Sequence, residues 1–348
     1  MSALPGSART PERPAAPDRG ALMLRAARLP FWGVSAIPVI VGSTLPFWLR
    51  PAGFVWNTGL FLVTLVAVVA IHIASNLANE YYDHLSAADA SSTHRDGFSG
   101  GSGLIQSGDV PARAYLRGFV VLYAVGIGLG LYLNAVLPGN LVLLLGAIGV
   151  LAGYFYTAPP LRLSYRGLGE IAVLVAFGVL PVVGAYFVQT RTVSWQVVLA
   201  SLPVAFAAVL VLWVNEIADA EADSRAGKLT LVARMGPSAA GRIVATALVV
   251  LVFLSLFAAV FTGSLIPLTL VAVLAFEYAR TVVARCWSQR DRTKRIGEAQ
   301  RAALKLHVTL GLVIAIAALV TSYPIALLVL AVALAALIAL GNRPAAQV

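Results

Sequence analysis

Long apolar runs alternate with short polar segments along the whole chain. The apolar runs occupy residues 29–49, 55–76, 114–134, 141–156, 168–189, 195–214, 239–262, 265–287 and 304–322. A shorter run, 325–340, follows the break at Tyr323-Pro324. About 20 apolar residues suffice to cross a bilayer as a helix. The pattern therefore predicts an all-α integral membrane protein with nine transmembrane helices, or ten if the last run crosses. Residues 1–21 are rich in Pro, Ala, Ser and Arg and lack an apolar centre. They are expected to form a disordered tail. No apolar segment with a cleavage site follows their charges, as a secretory signal would require. Residues 22–348 are expected to form the transmembrane domain.

Two of these runs end in acidic faces. After 195–214 comes Asn215-Glu-Ile-Ala-Asp219-Ala-Glu-Ala-Asp223. At about 100° per residue, Asn215, Glu216, Asp219 and Asp223 share an arc of roughly 100°, while Glu221 points elsewhere. After 55–76, Asn76, Asn79, Glu80 and Asp83 share a face in the same way, and Asp89 lies just beyond. Like charges one turn apart repel, and ionisable groups at membrane depth are costly. A cation is expected to hold each face together. One such face would be an ordinary solvated helix end. Two with the same Asn-Glu-x-x-Asp core, each closing an even-numbered span, point to two related helical halves facing across a central cavity.

Composition agrees with a membrane protein: 59% of residues are hydrophobic and 11% charged, against about 25% charged in soluble domains. The net charge of +10 raises nucleic acid as a partner, but the positions of the basic residues argue against it. With the N-terminus inside, outer segments hold only Arg50 and Arg191. The inner segments collect the others, with Arg343 joining them if the tenth span exists. That bias sets orientation and opens both acidic faces, and the loop 157–167, on the cytoplasmic side of the inner membrane. The single Cys286 excludes disulfides and cysteine metal sites. His72, His84, His94 and His307 have no zinc-ligand spacing, and His84 and His94 are expected in the loop after the first acidic face.

Oxygen ligands without Cys or His suit Mg²⁺, which takes a few carboxylates, waters and substrate phosphates. Arg162 and Arg166 lie in the loop before the fifth span, and Arg225 and Lys228 follow Asp223. Carboxylates, magnesium and basic side chains together cradle a diphosphate, and the apolar spans beneath suit a long hydrocarbon tail. The Gly-rich segment 97–108, which includes Gly101 and Ser102, directly follows the first acidic face and is expected to act as a substrate lid.

The two acidic motifs resemble those of the UbiA superfamily of intramembrane prenyltransferases, with Glu80 and Glu216 where the family pattern has Asp. The continuation GKLTLVARMG (227–236) also resembles the family. So do SNLANEYYDH, FSGGSG and YTAPPLRLSYRGLGE, which are closest to the 1,4-dihydroxy-2-naphthoate prenyltransferase branch. Across residues 25–320 the resemblance implies transfer of a polyprenyl group from prenyl diphosphate to an aromatic acceptor. The acceptor it suggests is 1,4-dihydroxy-2-naphthoate in menaquinone synthesis, with 4-hydroxybenzoate, homogentisate or another phenol as alternatives. It implies that Asn79, Glu80, Asp83, Asp89, Asn215, Glu216, Asp219 and Asp223 hold Mg²⁺. Arg162, Lys228, Arg28 and Arg225 would neutralise the diphosphate, and Tyr82 and Tyr156 would shield an allylic cation. Glu170 is expected to orient the arginine loop. A cation transporter would instead place carboxylates near mid-span in broken helices.

Overall fold

The computed structural model of the chain describes residues 19–88, 101–262 and 292–320. Every regular element among them is helical. A short α1 (Arg19–Ala26) and a 3-10 turn lead into α2 (Trp32–Leu49), α3 (Thr58–Leu85), α4 (Ala112–Val136) and α5 (Leu141–Tyr154). Then α6 (Gly169–Val173) runs through π-helical turns at Leu174–Val179 into α7 (Leu180–Thr190). The long α8 (Trp195–Arg225), the short α9 (Leu231–Met235), α10 (Pro237–Thr262) and α11 (Arg292–Val320) complete the described bundle. Seven of the described spans are long and apolar enough to cross a membrane, and α5 is apolar but shorter. The expected spans 265–287 and 325–340 lie outside the described residues, as do residues 1–18, Asp89, Gly97 and Gly100.

Two boundaries differ from the apolar pattern in a way that matters for function. The helices do not stop where the apolar runs stop. Instead α3 continues through Asp83 and α8 through Asp223. With 28 and 31 residues, they are roughly 42 and 46 Å long, at 1.5 Å per residue, against a hydrocarbon core of about 30 Å. The acidic motifs therefore ride on rigid helical extensions, and their spacing keeps each set on one inward face. At the other end of α3, the Asn57 side chain accepts the Leu60 N–H at 2.9 Å and caps the first turn. His84 falls in the last turn of α3 rather than in the loop.

The bundle turns apolar side chains outward as well as inward. Val120 and Val121 on α4, and Leu144 and Leu151 on α5, are exposed, as expected of helices whose solvent is lipid. Inside, α2 packs on α7 and α11, while α8 packs on α10 and α11 and α3 runs along α4. Small residues permit the closest approaches. A Cβ at Gly42 of α2 would run into the Val182 carbonyl of α7, and one at Gly178 would meet Ala205 of α8. Between α3, α4 and α5, the rings of Tyr81, Tyr82, Phe119, Tyr123 and Tyr154 form a cluster with centroids 5.2–6.5 Å apart.

The contact at Gly42 can be tested by thermal unfolding in detergent. Gly42→Ala must push backbone apart and should cost about 1–3 kcal/mol. Gly128→Ala, where an added Cβ meets nothing within 4 Å, should change stability by less than about 0.5 kcal/mol.

Candidate active site

The inward faces of α3 and α8 line one cavity of roughly 1190 Å³, measured out to its open mouth. The wall has two tiers. The upper tier carries Asn79, Glu80 and Asp83 from α3, and Asn215, Glu216, Asp219 and Asp223 from α8. The lower tier is largely apolar, with Phe31, Val34, Phe177, Ala208, Val211 and Leu212. The sequence expectation that both acidic faces meet across a cavity is thus realised in the fold. Arg28, Gly101, Tyr156 and Lys228 complete the upper wall.

One lysine joins the two faces. Lys228 Nζ donates to Asp83 Oδ2 at 2.9 Å and lies 3.8 Å from Asp223 Oδ1. The turn after α8 places it there: the Lys228 N–H caps the helix end by donating to the Asp223 carbonyl at 2.8 Å. Burial alone would push the ammonium pKa down, but Asp223 and Asp83 outweigh it and hold the group well above its usual value. Lys228 therefore stays charged at neutral pH. The other oxygen of Asp83 accepts from the Tyr165 hydroxyl at 2.9 Å, and that hydroxyl also pairs with Ser86 Oγ at 2.6 Å. The Tyr165 ring sits beneath two cations, with Arg162 at 5.4 Å and Lys228 at 5.9 Å from its centroid. Burial, followed by the Asp83 charge, raises the Tyr165 pKa and keeps the hydroxyl protonated as a donor.

The Gly-rich segment reaches the site through one residue. Ser102 donates its N–H to Glu80 Oε1 at 3.0 Å and its hydroxyl to Oε2 at 2.5 Å. Gly101, in the left-handed region at φ 69°, makes the turn that aims both groups at one carboxylate. Ser102 itself lies behind Glu80, where Tyr115 approaches it at 2.8 Å. On the opposite side, Glu170 Oε1 accepts the Leu231 N–H at 3.1 Å and so anchors the segment that follows Lys228. Glu170 thus orients the lysine segment rather than the arginine loop. Its carboxyl also faces that of Glu216.

Not every expected residue reaches the cavity. Arg162 is exposed and turns outward over Tyr165, from a backbone in the left-handed region at φ 44°. Arg166 is exposed and donates to the Pro160 carbonyl at 3.1 Å. Arg225 is exposed at the last turn of α8. Tyr82 points into the aromatic cluster, 2.7 Å from the Tyr154 hydroxyl, and away from the cavity. Tyr165, the Glu80–Ser102 pair and the cavity-lining His72 are structural findings. No spacing signal marks the first two, whose contacts join separate segments; His72 lies seven residues before Asn79 on the same helix face, and its place in the cavity wall is what the structure adds.

The donor set suits a hard cation. Asn79 Oδ1, Asn215 Oδ1 and both carboxylate oxygens of Glu216 are buried without a hydrogen-bond donor among the described residues. Buried acceptors of this kind call for a partner. Among the described residues, no three His, Cys, Asp or Glu side chains are drawn together closely enough to hold a metal ion by themselves.

Comparison with known proteins agrees with this geometry. The model of the UbiA prenyltransferase family matches residues 35–306. A 1,4-dihydroxy-2-naphthoate octaprenyltransferase of Haemophilus influenzae is 32% identical over 203 residues, covering 57% of this chain and 64% of the relative. The match therefore spans a little under two thirds of that relative's length. A 2-carboxy-1,4-naphthoquinone phytyltransferase of Synechocystis is 27% identical over 300 residues, covering 86% of this chain and 94% of the relative. A UbiA homolog from Archaeoglobus fulgidus, solved with GPP and Mg²⁺, shares the fold at TM-score 0.59 and 16% identity. That likeness covers 84% of this chain and 98% of the homolog.

The hydrogen bond from Tyr165 to Asp83 should be measurable as stability. Tyr165→Phe leaves a buried carboxylate oxygen without its donor and should cost about 1–3 kcal/mol in unfolding. Tyr132→Phe, on the exposed face of α4, should stay within about 0.5 kcal/mol of the parent.

Proposed function

The chain belongs to the UbiA prenyltransferase family, and from that premise we propose that it transfers a prenyl group from prenyl diphosphate to 1,4-dihydroxy-2-naphthoate in menaquinone synthesis. The observation that carries this reading is the single cavity in which two acidic helix faces and Lys228 sit above an apolar floor. A diphosphate suits the upper tier and a hydrocarbon the lower one. Two of the similar proteins carry a naphthoate or naphthoquinone acceptor in their names, which favours a bicyclic ring over a smaller phenol.

Asn79, Glu80, Asp83, Asn215, Glu216, Asp219 and Asp223 would hold Mg²⁺, joined by Asp89, which follows Asp83 in sequence. The bound metal would neutralise negative charge building on the departing diphosphate. Lys228 is poised to donate to a diphosphate oxygen, and Arg28 adds positive charge at the same wall. Ser102 holds Glu80, and Tyr165 holds Asp83, so these carboxylates are oriented before substrate arrives. Below them, Phe31, Val34, Phe177, Val211 and Leu212 exclude water that would quench an allylic cation. The Tyr156 ring lies in the wall, where its face can stabilise that cation. A second, almost wholly apolar cavity of roughly 840 Å³ between α3, α4, α5 and α7 has room for the hydrocarbon tail.

In this reading residues 22–348 form one membrane domain of nine or ten spans, following the apolar runs. The Lys and Arg bias supports a cavity mouth on the cytoplasmic side of the inner membrane.

Asp219→Asn should lower magnesium-dependent prenyl transfer at least about 100-fold while leaving the protein folded. Wild-type turnover in that variant would remove Asp219 from the mechanism. Lys228→Ala should weaken prenyl diphosphate binding about 10-fold to 100-fold, as expected for losing a charged hydrogen bond; unchanged affinity would refute its role. The assay offers several ring acceptors with prenyl diphosphates of different lengths to membrane fractions and identifies products by mass spectrometry. A preference for 4-hydroxybenzoate would overturn the naphthoate assignment.

A further inference from the structure

We propose that His72 binds a ring hydroxyl of the aromatic acceptor at the floor of the acidic cavity. His72 shares the inward face of α3 with the acidic motif. It lies seven residues before Asn79, about 10 Å down the helix axis. Its side chain is buried and lines both the acidic cavity and the apolar one. Three side chains are common to the two cavities: His72, Ser75 and Phe177. Phe177 offers no hydrogen bond. Ser75 is satisfied, donating to the Ile71 carbonyl at 2.9 Å and pairing with the Tyr123 hydroxyl at 3.0 Å.

His72 differs from both. Its Nδ1 is 2.5 Å from Ser35 Oγ on α2, and its ring stands edge-on to Phe177 at 4.8 Å. These two contacts fix the imidazole plane. No described residue is hydrogen-bonded to Nε2, and this nitrogen keeps an opening to the cavity rather than being sealed in the protein. A polar nitrogen that opens on the meeting point of two cavities offers a hydrogen bond to a polar group that enters there. A prenyl chain has no group to offer, and a diphosphate held by the acidic tier lies about two helical turns away. Resting on the transferase reading above, the remaining reactant is a hydroxylated ring. A hydroxyl both donates and accepts, so it satisfies Nε2 in either tautomer that Ser35 selects. The ring would then stand between the imidazole below and the allylic carbon above.

The test is a two-sided cycle read by steady-state kinetics with purified full-length protein. The substrates are 1,4-dihydroxy-2-naphthoate and its two mono-methyl ethers, with one prenyl diphosphate. Wild type should use one ether at least about 10-fold less well in kcat/KM than the parent acceptor, the scale of an unpaired buried polar group. His72→Leu should raise the acceptor KM about 10-fold, leave the prenyl diphosphate KM within about two-fold, and shrink the ether penalty. His72→Gln, which keeps a hydrogen-bonding group, should restore most of the acceptor affinity. An ether penalty that persists undiminished in His72→Leu, or equal rises in both KM values, would overturn the proposal. Should His72→Leu not fold, the wild-type ether series decides: equal use of all three naphthoates overturns it. Wild type that prenylates no hydroxynaphthoate at all would instead defeat the transferase reading itself, and this proposal with it.

Discussion

Two helices bearing like charge can share a buried wall only if something positive stands between them. In this chain one such cation is Lys228, which donates to Asp83 on α3 and approaches Asp223 on α8. Both carboxylates are buried, and in surroundings of low polarity uncompensated charges of one sign would drive the faces apart. The bridge also explains why several contacts converge on this spot. Tyr165 fixes the second oxygen of Asp83, and Glu170 ties down the segment that carries the lysine. The mouth of the cavity is thus an electrostatic assembly built on two over-long helices, with the apolar bundle holding them at a fixed separation.

The tiers of that cavity follow from the same two helices. Along α8, Ala208, Val211 and Leu212 precede Asn215 on the inward face; along α3, His72 and Ser75 precede Asn79. On α8 the inward stripe therefore changes from apolar to acidic within a few turns, whereas on α3 the side chains that precede the acidic set are polar. A molecule with a charged head and a greasy tail finds both environments in one continuous space. A transport path for a cation would place its carboxylates deeper, and a basic residue at the gate would repel the ion.

Much of this was legible in the amino-acid sequence, for identifiable reasons. Helical periodicity gathers Asn215, Glu216, Asp219 and Asp223 on one face whatever surrounds them, and hydropathy marks the apolar spans. Helix ends were less legible: the acidic faces read as helical, but His84 read as a loop residue, whereas α3 runs on to Leu85 and includes it. Partners across helices were not legible at all. Ser102 meets Glu80 across a gap of 22 residues and Tyr165 meets Asp83 across 82, distances over which no spacing rule acts. Tyr82 illustrates the converse. It neighbours Asp83 in sequence, yet its position on the helix turns it toward Tyr154 and the aromatic cluster. Arg162 belongs to the expected basic set, but its left-handed backbone carries it outward onto Tyr165.

The central claim is that the two acidic faces act as one diphosphate site, and a double-mutant cycle on ligand binding tests it most directly. Geranyl diphosphate binding would be titrated calorimetrically, with and without magnesium, for the parent, Asp83→Asn, Asp219→Asn and the double variant. One shared site predicts that each single change removes most of the magnesium-dependent affinity and that the double variant loses little more. Strictly additive losses, or magnesium-dependent binding that survives either change intact, would show that the two faces work apart.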